Sequence, residues 1–179
     1  MEQNKNELIK LENVIETFSP SRMIRTHKHI QTIANASDSE SMALSGLAKA
    51  CGEDSIQALV ELHLWSLYDS IGQLEKVKEI QIVEMATEIM SSYYWFKMED
   101  IYLIFRMAKR GEFGQIYGTL SMLDILGWFA KYDDQRTALF VERSTAHRHT
   151  DHSPRSSQRD SDAMHLARLT DFTNKTKKS

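Results

Sequence analysis

Residues 93–136 read YYWFKMEDIYLIFRMAKRGEFGQIYGTLSMLDILGWFAKYDDQR, and their pattern decides the fold class. They hold 11 of the chain's 16 aromatic residues and four of its seven glycines. From Met98 to Arg110 the pattern is apolar around most of a helical circumference, through Ile101, Tyr102, Leu103, Ile104, Phe105, Met107 and Ala108. Gly111, Gly114 and Gly118 then interrupt it, as expected where positive φ or close backbone approach is needed. Met122, Ile125, Leu126 and Phe129 resume helical spacing, and Ser121 with Asp124 has the form of a capping box. The stretch therefore predicts helix, loop, helix. Phe113, Ile116 and Tyr117 are expected to tuck back under the loop. Asp133 and Arg136 follow on the second helix's buried stripe at a spacing that allows them to pair. That helix should leave the core near Tyr132 and run on into solvent.

Upstream, Leu8, Leu11 and Ile15 mark an amphipathic helix over Lys5–Phe18, and Ser19-Pro20 reads as a cap followed by proline in the first turn of a helix running to about Ile33. Asn35–Ser41 is a polar break. Met42–Cys51 forms a short helix ended by Gly52, and Asp54 with Gln57 suggests a capping box for the next. That helix carries Ile56, Leu59, Val60, His63, Leu64, Leu67 and Ile71 on one stripe, with Leu62 and Trp65 on another side. A helix apolar on two sides belongs in the middle of a bundle. Glu75–Tyr94 is a further helix, with Ile82, Met85, Ile89, Tyr93 and Phe96 along one face. The expected fold is an all-α, orthogonally packed bundle of about six or seven helices over residues 1–141, with 93–136 at its centre.

Composition agrees: 179 residues with 41% hydrophobic content can bury a core, and two prolines leave long helices intact. Cys51 is the single cysteine, which rules out an internal disulfide framework and fits a reducing compartment. No apolar run of about 18 residues predicts a membrane span, and MEQNKNELIK lacks a signal core, so a cytoplasmic protein is expected. Residues 142–179 carry eight Lys/Arg against five Asp/Glu, whereas the preceding 141 carry 14 against 20. An acidic body with a mildly basic tail does not suit a duplex-coating DNA binder. From Glu142 the pattern decays; a largely disordered tail with a short helix over 164–172 is expected. His147, His149 and His152 in that tail read as solvated residues rather than as a metal site.

Chemistry-bearing residues are few. His27 and His29 would point apart on a helix and could not share a metal. His63 reads as a hydrogen-bonded core histidine. Glu99, Arg106 and Arg110 fall within about 40° of one another on their helix, with Lys109 beside them. The strip is basic at its C-terminal end, where cations suit the helix dipole. The glycine loop lacks the GK[ST] ending and preceding strand of a P-loop, so no nucleotide or other cofactor is expected. No nucleophile sits in a recognisable setting, so no catalytic residue is assigned. Trp128 falls on a polar face with Lys131, the position of a partner anchor or of a residue packed under a neighbouring helix.

The aromatic–Lys start Trp95-Phe96-Lys97, the loop Lys109-Arg110-Gly111-Glu112-Phe113-Gly114-Gln115-Ile116-Tyr117-Gly118 and the closing Trp128-Phe129…Tyr132…Arg136 resemble a pattern found in small uncharacterised helical proteins of bacterial phages and integrated mobile elements. The pattern's loop has the form K-x-G-x-[YF]-G-x-x-Y-G. The likeness covers roughly residues 90–137. It implies a setting rather than an activity: an accessory protein near replication functions, with no catalytic residues to carry over. The expected function is a non-enzymatic adaptor, helicase-loader-like, contacting a replication protein or, weakly, single-stranded DNA. The alternative is a protein-binding regulator of a host process. The working surface is placed on Arg106, Lys109, Arg110, Gly111, Gly114, Tyr117, Gly118, Trp128 and Lys131.

Overall fold

A computed structural model describes residues 11–151, all of whose regular elements are helical. The expected all-α class is what is found. Residues 11–18 form α1, followed by α2 (Pro20–Thr26), α3 (Ile33–Ser37), α4 (Leu44–Cys51), α5 (Glu53–Ser70), a 3-10 turn (Leu74–Lys76), α6 (Glu79–Ser92), α7 (Met98–Lys109) and α8 (Met122–Asp151). The chain divides into two compact units, Met1–Arg136 and Thr137–Ser179. The first holds the core; the described part of the second is the C-terminal half of α8. That helix continues to Asp151, ten residues past the expected domain end at 141, because nothing between Glu142 and Asp151 is a helix breaker. The expected tail beyond it, including the helix over 164–172 and His152, lies outside the described residues, as do the side chains of His147 and His149.

Within the first unit α5 is central, touching α2, α4, α6 and α7. Its stripe Ile56, Leu59, Val60, Leu64 and Leu67 is buried as the periodicity requires. Ser19 caps α2 with Pro20 in its first turn, but α2 ends at Thr26 rather than near Ile33. A capping box explains the break: Thr32 Oγ1 accepts from Asn35 N (3.2 Å) and Asn35 Oδ1 from Thr32 N (3.2 Å), which starts α3 inside the expected polar loop. Asp54 is not a cap either. Gly52, at φ 91°, joins α4 directly to α5, which leaves Asp54 within the first turn. α6 begins at Glu79 instead of Glu75, where Gln81 Oε1 accepts from Lys78 N (2.9 Å).

The connection 93–97 is the crossing point of the unit. Phe96 is fully buried and its ring centroid lies 5.0 Å from Tyr93, 6.1 Å from Phe129 and 5.5 Å from Tyr132. Its backbone receives the start of α4: Leu44 N donates to Phe96 O (2.7 Å), Ser45 N donates to Tyr94 O (3.0 Å), and Ala43 bridges Lys97 antiparallel. These carbonyls satisfy first-turn amides that have no partner within α4 itself. Lys97 Nζ donates to Ser37 O (2.9 Å) and to Ser39 O, drawing the 37–41 segment onto the start of α7.

Two acidic residues of α7 are buried with it. Glu99 Oε2 accepts from Ser41 Oγ (2.6 Å). Asp100 is 0% exposed; it accepts from Lys97 N (2.8 Å) and from Tyr132 Oη (2.6 Å), with Arg136 Nε 3.8 Å away. The Arg136 guanidinium also lies 5.3 Å from the centre of the Phe96 ring. Asp133 and Arg136 thus serve different partners and do not pair as their spacing allowed: Asp133 accepts from Trp95 Nε1 (3.3 Å).

Buried Gln73 fastens the end of the glycine loop. Its Nε2 donates to Gly118 O (2.8 Å) and its Oε1 accepts from Leu120 N (2.7 Å), while Tyr68 Oη donates to Leu120 O (3.1 Å). Gln73→Ala removes both partners of the loop backbone at once. We expect a loss of about 1–3 kcal/mol and accelerated chymotryptic cleavage at Tyr117. Cleavage at the wild-type rate, with stability unchanged, would show that the loop holds itself.

Candidate partner-binding recess

The glycine loop and the first turns of α8 enclose an open recess of about 300 Å³. Its wall and floor are Phe113 and Trp128, whose rings stack with centroids 6.3 Å apart and planes 15° from parallel. Trp128 is buried, so it is not a protruding anchor; the polar residues beside it on α8 are balanced by the loop folding over its ring. The projecting residues are Tyr117, 83% exposed, and Leu123, 81% exposed. Tyr117 was expected to tuck inward with Phe113 and Ile116. Phe113 does so and Ile116 does in part, whereas the Tyr117 hydroxyl donates to Gln115 Oε1 (2.8 Å) at the surface. Leu123 was missed: it lies outside the helix stripe that periodicity selects, and an isolated exposed leucine carries no sequence signal.

Positive φ at Gly111 (78°), Gly114 (108°) and Gly118 (72°) shapes the loop, and beyond the adjoining residues no atom lies within 4 Å of where a Cβ would stand at any of them. The glycines are therefore required by backbone conformation. Asp124 sits at the recess mouth and closes the reciprocal cap at the start of α8: it accepts from Ser121 N (2.9 Å) and Ser121 Oγ (2.6 Å), and these hydrogen bonds hold its carboxyl below the usual range.

Two cations of the expected basic strip, Arg106 and Arg110, are engaged within the protein. Arg106 Nη1 donates to Ile30 O (3.0 Å) and Lys28 O (3.4 Å), closing the turn between α2 and α3. Arg110 pairs with Glu112 at 3.4 Å. Lys131 Nζ donates to Phe113 O (3.2 Å), bracing the loop from α8. Lys109 borders a separate crevice with His63, Ser66 and Tyr102, where burial, then the nearby Arg106 charge, lowers its pKa. That crevice, about 20 Å³, has room for little more than a water molecule. Of the residues assigned to the working surface, the structure brings together Gly114, Tyr117, Trp128 and Lys131 around the recess and places the α7 cations elsewhere.

His63 is the core histidine its position suggested. Its Nε2 lies 2.7 Å from Phe18 O, and burial lowers its pKa to about 4, against the raising effect of that hydrogen bond. His27 and His29 are not on one helix, as assumed, because α2 has ended; their rings stack at 5.9 Å. Among the described residues no group of three or more His, Cys, Asp or Glu side chains is placed to hold a metal ion, and no helix is long and apolar enough to cross a membrane. Compared with protein-family models, curated proteins and solved structures, the chain matches none.

Proposed function

We propose that the protein is a non-enzymatic adaptor of a phage or mobile element, and that the recess beside Tyr117 and Leu123 receives an apolar side chain of a protein partner, in the replication machinery if the resemblance of residues 90–137 holds. The observation that carries this reading is the pair Tyr117 and Leu123, 83% and 81% exposed, flanking a recess floored by stacked aromatic rings. Exposed apolar residues around an aromatic pocket are the usual composition of a binding hot spot. The engagement of Arg106, Arg110 and Lys131 with the protein's own groups favours protein contact over single-stranded DNA, which needs a cationic groove beside its stacking rings.

The test is affinity capture from the native host after nuclease treatment, with wild type and Leu123→Asp side by side. A replication protein held by wild type and reduced by about tenfold or more in the variant is expected, the effect of placing a charge in a desolvated contact. Leu123 is exposed, so the substitution leaves folding intact. Recovery of the same proteins by both, or recovery that needs intact nucleic acid, would overturn the reading.

A further inference from the structure

A different face of the first unit has the opposite chemistry to a nucleic-acid site. Tyr94 and Trp95 are 54% and 37% exposed and meet edge to face, their centroids 4.9 Å apart. Tyr94 also walls an open groove of about 280 Å³ lined by Leu44, Ala48 and Met90. Carboxylates gather around Trp95 and Tyr93, whose ring centroids are 6.0 Å apart, and one of them, Glu88, accepts from Ser92 Oγ (2.6 Å). Asp133 accepts from the Trp95 indole, and burial together with the charges of Asp133, Glu88 and Asp134 raises the pKa of the adjoining Tyr93 phenol. Two neighbouring cations have partners within the fold: Lys97 donates to Ser37 O and Ser39 O, and Arg136 lies against Asp100 and Phe96. Lys49 and Glu53, of opposite charge, both line the groove.

Exposed aromatic side chains next to carboxylates attract a cation twice, through the ring quadrupole and through charge. Phosphate would be repelled. We propose that Tyr94 and Trp95, with Glu88, Asp133 and Asp134, form a docking surface for a basic peptide segment of a protein partner. An arginine or lysine of that segment lies over the indole between the carboxylates, and a neighbouring apolar side chain enters the groove beside Tyr94. The surface does not depend on the recess at Tyr117. If both are used, the protein holds two partners at once.

The probe is a fluorescently labelled eight-residue peptide alternating arginine and leucine, with its glutamate–leucine counterpart as reference. Binding to the full chain is read by anisotropy at low and high salt. We expect the arginine peptide to bind, to weaken with salt, and to bind at least about tenfold more weakly to Asp133→Asn/Asp134→Asn and to Trp95→Ala. The control is Asp69→Asn/Glu79→Gln, which removes as much charge away from the face, Glu79 being at the opposite end of α6; binding within about twofold of wild type is expected. Leu123→Asp should bind the peptide as wild type does, which separates this face from the recess. Equal weakening by the control pair would reduce the effect to net charge and overturn the proposal, as would no preference for the arginine peptide. Asp134 is exposed, so Asp134→Asn alone gives a reading even if Trp95→Ala unfolds.

Discussion

Asp100→Ala is expected to lower stability by about 3–5 kcal/mol, the range for removing one member of a buried, hydrogen-bonded charge pair. In a domain whose whole stability is about 5–15 kcal/mol, that brings the chain close to unfolding at ambient temperature. The carboxylate accepts from Lys97 N and Tyr132 Oη and lies near Arg136, so its loss strands groups from the start of α7 and from α8 together. Tyr132 is a committed donor: burial and the Asp100 charge push its pKa far above the ordinary tyrosine value, so the phenol keeps its proton. Tyr132→Phe removes only that donor and should cost about 1–2 kcal/mol. Urea unfolding of both single variants and the double variant measures the coupling. A double variant whose loss equals the sum of the singles would show that the two groups act independently.

Acid should unfold wild type earlier than it unfolds His63→Gln. The pKa of His63 falls from 6.5 in the unfolded chain to about 4 in the fold, mainly because burial penalises the imidazolium. Below pH 6.5 the unfolded state therefore binds a proton that the folded state refuses. The contribution of neutral His63 is complete above pH 6.5, declines as pH falls, and is exhausted near pH 4, for a total on the order of 3 kcal/mol. Glutamine can donate to Phe18 O but does not titrate in this range. The difference in unfolding free energy between wild type and His63→Gln should tilt in favour of the variant as pH drops from 6.5 to 4. A difference that stays flat across that window would mean the ring is solvated, or already charged, in the folded protein.

Much of the fold was legible because burial imprints a period on the sequence. The stripes of α5, α6 and α8 emerged from spacing alone, as did the Ser19-Pro20 start and the Ser121–Asp124 cap. His63 could be placed in the core because every residue at its phase was apolar. The site was less legible. Arg106 looked like part of a solvated cationic strip, since nothing local reveals that the carbonyls of Lys28 and Ile30 stand opposite it. Glu99 looked like part of the same charged strip, and Asp100 carried no signal; their burial depends on Ser41 and Tyr132, which the sequence places far away. For Tyr117 and Trp128 both an inward and an outward place were open for a similar reason: which ring turns outward depends on how the glycines bend the loop over α8.

The pairing of Leu44 and Ser45 amides with the carbonyls of Phe96 and Tyr94 orders the events of synthesis. The partners lie about 50 residues apart, and closing such a loop carries an entropic cost that local helix formation does not offset. On a ribosome the start of α4 emerges long before Phe96 does. Until that phenylalanine has cleared the exit tunnel, the amides of Leu44 and Ser45 cannot reach the carbonyls they meet in the fold. The crossing at 93–97 is thus closed from its C-terminal side, when α8 arrives to set Phe129 and Tyr132 around Phe96.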